Sequence, residues 1–182
     1  IGVRLVGSEM CIRDSVMTSV KADPEIQKGN IPKVMELVEK KIVPFTDMRR
    51  TTEMAMGPNW KKATPEQQAI LTSEFKTLLM RTYSGALSQL RDQTVQFKAL
   101  RAAPDDKEVV VKTVVIGRGD PIPLDYRLEK GANGWKVYDM NIMGAWLVEA
   151  YRNQFANQIG QNGIDGLVKF LQDRNKQLAA TK

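Results

Sequence analysis

The chain has 182 residues, 42% of them hydrophobic and 26% charged, with a formal net charge of +6 and a pI near 9.4; this is the size and balance of one domain with a substantial core. It contains no histidine and a single cysteine, so it lacks the commonest neutral-pH base and metal ligand and forms no internal disulfide or thiolate cluster. The lysines and arginines are scattered instead of forming an aromatic-interleaved stripe, which argues against a nucleic-acid surface, and no apolar run reaches the roughly 18 residues that a bilayer span requires.

Residues 1–15 read as the conceptual translation of a sequencing adapter, a non-native segment to be set apart from the fold, with residues 16–182 forming one domain. Arg4 and Arg13 balance Glu9 and Asp14, so the net charge is the same without this segment, whereas Cys11 goes with it. On this reading the native N-terminus, with any export signal, is missing from the sequence. Val16 to about Ala22 then reads as the remainder of a helix.

Asp23-Pro24 and Gly29-Asn30 are turn signals. Asn30 suits an N-cap, Val34, Leu37, Val38 and Ile42 follow at helical spacing, and Pro44 ends that helix. A second helical pattern runs from Phe45 through Met48, Thr52 and Met56 to Gly57-Pro58. Thr64-Pro65-Glu66-Gln67 is the strongest local signal: a threonine N-cap, a proline at the first helical position and a glutamine to complete a capping box. Leu71, Phe75, Leu78, Leu79, Thr82, Tyr83, Ala86, Leu87 and Leu90 line one stripe of the long helix that follows, which is expected to end near Leu90.

Beyond Arg91 the period becomes strand-like. Thr94–Lys98 alternates, Pro104-Asp105-Asp106-Lys107 turns the chain, and Val109–Ile116 is β-branched. After the turn at Gly117-Arg118-Gly119-Asp120-Pro121, Ile122, Leu124, Tyr126 and Leu128 alternate with Asp125, Arg127 and Glu129. Gly131-Ala132-Asn133-Gly134 is a hairpin turn into a strand from Trp135 to Asn141. A last helical stretch carries Leu147, Tyr151, Phe155 and Ile159, is broken at Gly160-Gln161-Asn162-Gly163, and resumes after Asp165 with Leu167, Val168, Phe170 and Leu171. The order predicts an α+β domain: helices packed on one face of a curved four-stranded antiparallel sheet, in a nuclear-transport-factor-like cone with an apolar cavity.

Few groups suit covalent chemistry. Asp139 could act as a base if an apolar pocket raised its pKa, or it could hydrogen-bond backbone donors where the strand meets the helix; the absence of a complementary titratable neighbour favours the second. Ser84 and Ser88 have no histidine partner, and no helix cap follows Gly117-Arg118-Gly119 to cradle a phosphate. Neither a catalytic residue nor a metal site is expected, nor any cofactor. What stands out is a surplus of broad apolar faces bearing Tyr83, Tyr126, Trp135, Trp146, Tyr151 and Phe155, as a hydrophobic ligand site would need.

The run from Gly57-Pro58-Asn59-Trp60 to Gln67-Gln68, then Phe75, Leu78, Leu79 and Arg81-Thr82-Tyr83, Gly134-Trp135-Lys136-Val137-Tyr138-Asp139, and Tyr151-Arg152-Asn153-Gln154-Phe155 resemble the MlaC family, also called the toluene-tolerance or Ttg-type auxiliary component. The resemblance covers about Ile31 to Leu171. Many members carry Glu-Gly-Val-Ser where this chain has Met143-Gly144-Ala145-Trp146, so an acid and a hydroxyl give way to a thioether and an indole.

The resemblance implies a non-enzymatic periplasmic phospholipid-binding shuttle. It would carry glycerophospholipid, held by its acyl chains, between an outer-membrane lipoprotein–porin complex and an inner-membrane ABC transporter, and so maintain outer-membrane lipid asymmetry. The expected lipid pocket is lined by Phe45, Leu79, Tyr83, Val111, Leu124, Tyr126, Val137, Trp146, Leu147, Tyr151 and Phe155. The rival reading is a small cone-fold enzyme, isomerase-like, using Asp139 as base.

Overall fold

The computed structural model describes residues 15–88, 93–100, 103, 105–117 and 119–180. The adapter-like segment up to Asp14, the expected helix end at Leu90, and the turn residues Pro104 and Arg118 lie outside the described residues. Helix α1 occupies residues 15–22, followed by α2 (Pro24–Gln27) and α3 (Ile31–Lys41). Asp23 and Asn30 cap α2 and α3, the carboxyl oxygen accepting a backbone N–H two residues on and the amide oxygen one three residues on. Val16, Val20, Ile26, Val34, Leu37 and Val38 bury against one another to form an N-terminal apolar cluster.

The expected helix beginning at Phe45 starts three residues later. Pro44 lies in a 3-10 turn, Val43–Phe45, and helix α4 (Met48–Met56) begins after Asp47, whose side chain accepts from the Arg50 amide at 2.9 Å. A second 3-10 stretch, Gly57–Lys62, leads into α5 (Pro65–Ser88). The capping box forms as expected: the Gln67 amide donates to Thr64 Oγ1 at 3.2 Å, and the Thr64 amide donates to Gln67 Oε1 at 2.9 Å.

The sheet is antiparallel in the order β1 (Thr94–Phe97), β2 (Glu108–Ile116), β3 (Ile122–Gly131), β4 (Gly134–Ile142), β5 (Ala145–Trp146). It therefore has five strands where four were expected; the extra one is a two-residue return, Asn141 pairing with Trp146 and Ile142 with Ala145, too short to leave a periodic trace in the sequence. The α+β class is as expected.

Helix α6 (Leu147–Ala180) follows at once and is broken at Gly163, whose φ of 68° and ψ of −172° are open to glycine almost alone. The two arms of α6 pack on α5 and α4. Together they bury a core containing Met56, Trp60, Leu71, Phe75, Phe155, Leu167 and Leu171. Contacts from the helical layer to the sheet run chiefly through β4, which meets α4, α6 and the turn at Val43–Phe45.

Candidate functional site

The strand register sorts the sheet into two faces. Val109, Val111 and Thr113 stand opposite Leu128, Tyr126 and Leu124 on β3; these in turn oppose Val137, Met140 and Ile142 on β4. Val95 and Phe97 of β1 extend the same apolar face. Val109, Val111 and Leu128 are buried at its centre, with Phe97, Leu100, Tyr126, Trp135 and Val137 packed around them. Thr113, a polar side chain on this face, is neutralised locally by donating its hydroxyl to the Leu124 carbonyl.

This face stays apolar across β4 because the pairing slips by one residue. Arg127 opposes Asp139 while Leu128 opposes Val137, leaving Tyr138 as the extra residue of a β-bulge. Val137 and Met140 thereby share the apolar face, whereas Tyr138 and Asp139 serve the other side. The Tyr138 ring lies 4.4 Å beneath the Arg50 guanidinium of α4. Arg50 also bridges Glu108 and Glu129, and Thr51 donates to the Tyr138 carbonyl at 2.7 Å.

On the helices, Phe75 of α5 meets Tyr151 and Phe155 of α6 edge-on, both at 4.9 Å between centroids. Leu79 packs against this group. Burial pushes the Tyr83 hydroxyl pKa up. For Tyr151 burial again raises it, the neighbouring Tyr83 adds to the rise, and a side-chain hydrogen bond with Thr82 and the charge of Arg174 act against it. Both therefore remain neutral phenols near pH 7, suited to a weakly polar edge on an apolar surface and unsuited to nucleophilic work.

The residues expected to meet lipid divide accordingly. Leu79, Tyr151 and Phe155 gather on the helical layer, with Tyr83 beside Tyr151. Val111, Tyr126 and Val137 gather on the sheet, and Leu124 shares their face. Val111 and Phe155 are fully buried, while Leu79, Tyr83, Leu124, Tyr126, Val137 and Tyr151 are half-buried. Three others join neither group: Phe45 is 40% exposed in its 3-10 turn, Leu147 is buried at the start of α6, and Trp146 lies on the opposite side of the sheet. Trp146 pairs with Asn141, which pairs with Asp125, and its ring stacks 3.9 Å from the Arg127 guanidinium. Sequence reasoning passed over Phe97, Met140 and Ile142, which the register adds to the apolar face; period-two spacing from Leu124 and Tyr126 would have marked their partners only with the pairing known.

Asp139 sits where β4, β5 and α6 meet, with its side chain fully buried. Oδ1 accepts from the amides of Met140 at 2.9 Å and Val148 at 3.1 Å, and Oδ2 from Arg127 at 3.1 Å. Desolvation pushes its pKa up, opposed by the two backbone N–H groups and by Arg127. The carboxylate is thus spent on the first turn of α6 and on Arg127, the structural role weighed above. Among the described residues no group of three potential metal ligands comes together, and no helix is long and apolar enough to cross a membrane.

The MlaC protein family matches this chain over residues 12–173. The chain is 27% identical over 151 residues to the toluene tolerance protein ttg2D of Pseudomonas putida, covering 82% of this chain and 70% of that protein. It is 22% identical over 168 residues to the intermembrane phospholipid transport system binding protein MlaC of Haemophilus influenzae, covering 90% and 78%. Among solved structures it is similar, with a TM-score of 0.91 and 52% identity, to a phospholipid-binding protein from Ralstonia solanacearum determined in complex with a phospholipid, the match covering 95% of this chain and 97% of that one.

Proposed function

The chain belongs to the MlaC family, and from that membership we propose that it binds a glycerophospholipid by its acyl chains and carries it through the periplasm, without catalysing a reaction. The observation that carries this reading is the match, at 52% identity and over nearly the whole of both chains, to a structure determined with a phospholipid bound. The half-buried apolar side chains on the sheet face and on α5 and α6 support it, because they leave large hydrophobic surface that neighbouring protein does not fully cover. In this proposal the acyl chains are taken up on these apolar surfaces, and the head group is left toward water.

Two acyl chains present on the order of 30 methylenes, and at about 0.8 kcal/mol each their exposure costs roughly 20 kcal/mol, so unassisted transfer through water is negligible. A carrier that sheathes only the tails tolerates varied head groups. In the same proposal the donor and acceptor are an outer-membrane lipoprotein–porin complex and an inner-membrane ABC transporter, and the consequence is outer-membrane lipid asymmetry. The enzymatic alternative rests on a carboxylate that Val148, Met140 and Arg127 already engage.

Native mass spectrometry of protein purified without added lipid tests the reading. A population heavier by the mass of a phospholipid, released on organic extraction, is expected. A uniformly lipid-free protein that fails to take up lipid from vesicles after delipidation would overturn it.

A further inference from the structure

Between α4, α5 and the turn at Val43–Phe45 lies an open groove of about 550 Å³, within the size range of sites that seat small ligands or partner side chains. None of the residues expected to meet lipid lines it. One side is apolar, with Met48 and the buried indole of Trp60; the other is the α5 surface carrying the small residues Ala69 and Thr72. Cations stand at the groove and no carboxylate lines it. The Arg49 guanidinium lies 5.9 Å over the Trp60 ring and has no carboxylate partner among the described residues. Lys76 is held by Glu39 at 2.8 Å.

We propose that this groove docks an acidic, apolar segment of a partner protein. An apolar side chain of the segment rests on Val43 and Met48 while its carboxylate pairs with Arg49, which has no carboxylate partner among the described residues. Ala69 and Thr72 keep the α5 wall low, so a peptide backbone can approach it closely. A flat bilayer cannot enter a slot between two helices, whereas an extended segment can. Partner recognition is thereby separated from the lipid-facing surfaces, which lets docking occur with or without cargo. Charge complementarity of this kind acts mainly on selectivity and encounter rate.

Fluorescence anisotropy with a short labelled peptide alternating Asp or Glu with Leu or Phe is the test, against a counterpart with Lys in place of the acids and against phosphatidylglycerol vesicles. The acidic peptide is expected to bind saturably and more weakly as salt rises, with affinity reduced about tenfold or more by Arg49→Glu and by Ala69→Phe. Both substituted residues are exposed, and native mass spectrometry of the variants should show lipid loading equal to the parent's. Absence of saturable binding, equal binding by both variants, or variants that lose vesicle binding in place of peptide binding would overturn the proposal. So would a fall in lipid loading, which would assign the groove to the cargo and leave the carrier reading intact.

Discussion

Replacing Asp139 separates the two forces that act on a buried carboxylate. Asp139→Asn keeps an oxygen to accept from the Val148 and Met140 amides and removes a charge that burial disfavours. The loss of attraction to Arg127 is moderated because that guanidinium is 28% exposed and remains stacked on Trp146. The expected change at neutral pH is within about 1 kcal/mol of the parent. Asp139→Ala removes the acceptor as well, stranding buried N–H groups at the start of α6, and should cost about 2–4 kcal/mol.

The pH dependence has a definite sign. Since the folded protein holds this carboxyl above its ordinary value of 3.8, it binds the proton more tightly than the unfolded chain does. The stabilisation from protonation is complete below 3.8 and is lost as pH rises through the folded value. Urea unfolding at a series of pH values, compared between the parent and Asp139→Asn, should show the parent gaining relative stability as pH falls through that window. The opposite slope would refute the reasoning, because it would mean that the Arg127 pair outweighs desolvation. Equal destabilisation by Asn and Ala would refute it differently, by showing that charge and not acceptor geometry holds the junction.

Phe155→Ala removes a fully buried ring that meets Phe75 edge-on, and chemical denaturation should register a loss of about 3–5 kcal/mol; a loss under about 1 kcal/mol would mean that the helical core collapses around the cavity. Met143 holds a φ of 52° at the β4–β5 turn while 75% exposed, so Met143→Gly should raise stability by about 0.5–1 kcal/mol, read from the urea midpoint at unchanged slope. Leu124→Asp places a charge on the apolar sheet face beside Tyr126 and should abolish or strongly reduce lipid loading measured by native mass spectrometry, with the helical circular dichroism retained. Full loading of that variant would remove Leu124 from the lipid surface.

Elements whose signals are local were legible in the sequence. The capping box at Thr64 and Gln67 uses groups three residues apart, and the strands from Thr94 to Asn141 announce themselves by alternation, a β-branched run and a hairpin turn. What escaped depends on partners distant along the chain. Uniform alternation through β4 would put Val137 and Met140 on opposite faces, and only pairing with Arg127 and Leu128 reveals the bulge that puts them on one. Trp146 reads as part of a lipid wall because it is large and apolar; its place on the sheet face opposite Val111 and Tyr126 follows from a two-residue strand and a cation on β3. Phe45 reads as the start of the next helix because helical spacing continues across Asp47, where the backbone does not.

Among the described residues, three clusters of buried apolar side chains have no shared member: one in α1 to α3, one uniting α4, α5 and α6, and one on the sheet. Regions that keep separate interiors can open separately, each with its own free energy. Amide hydrogen exchange should then proceed in tiers, with α1 to α3 released at a lower free energy than the amides around Phe75 and Phe155, and β2 to β4 forming a tier of their own. A cargo touching both the sheet and α5–α6 would merge the last two tiers into a single cooperative unit, so occupancy would be legible as a change in exchange cooperativity even where no side chain moves.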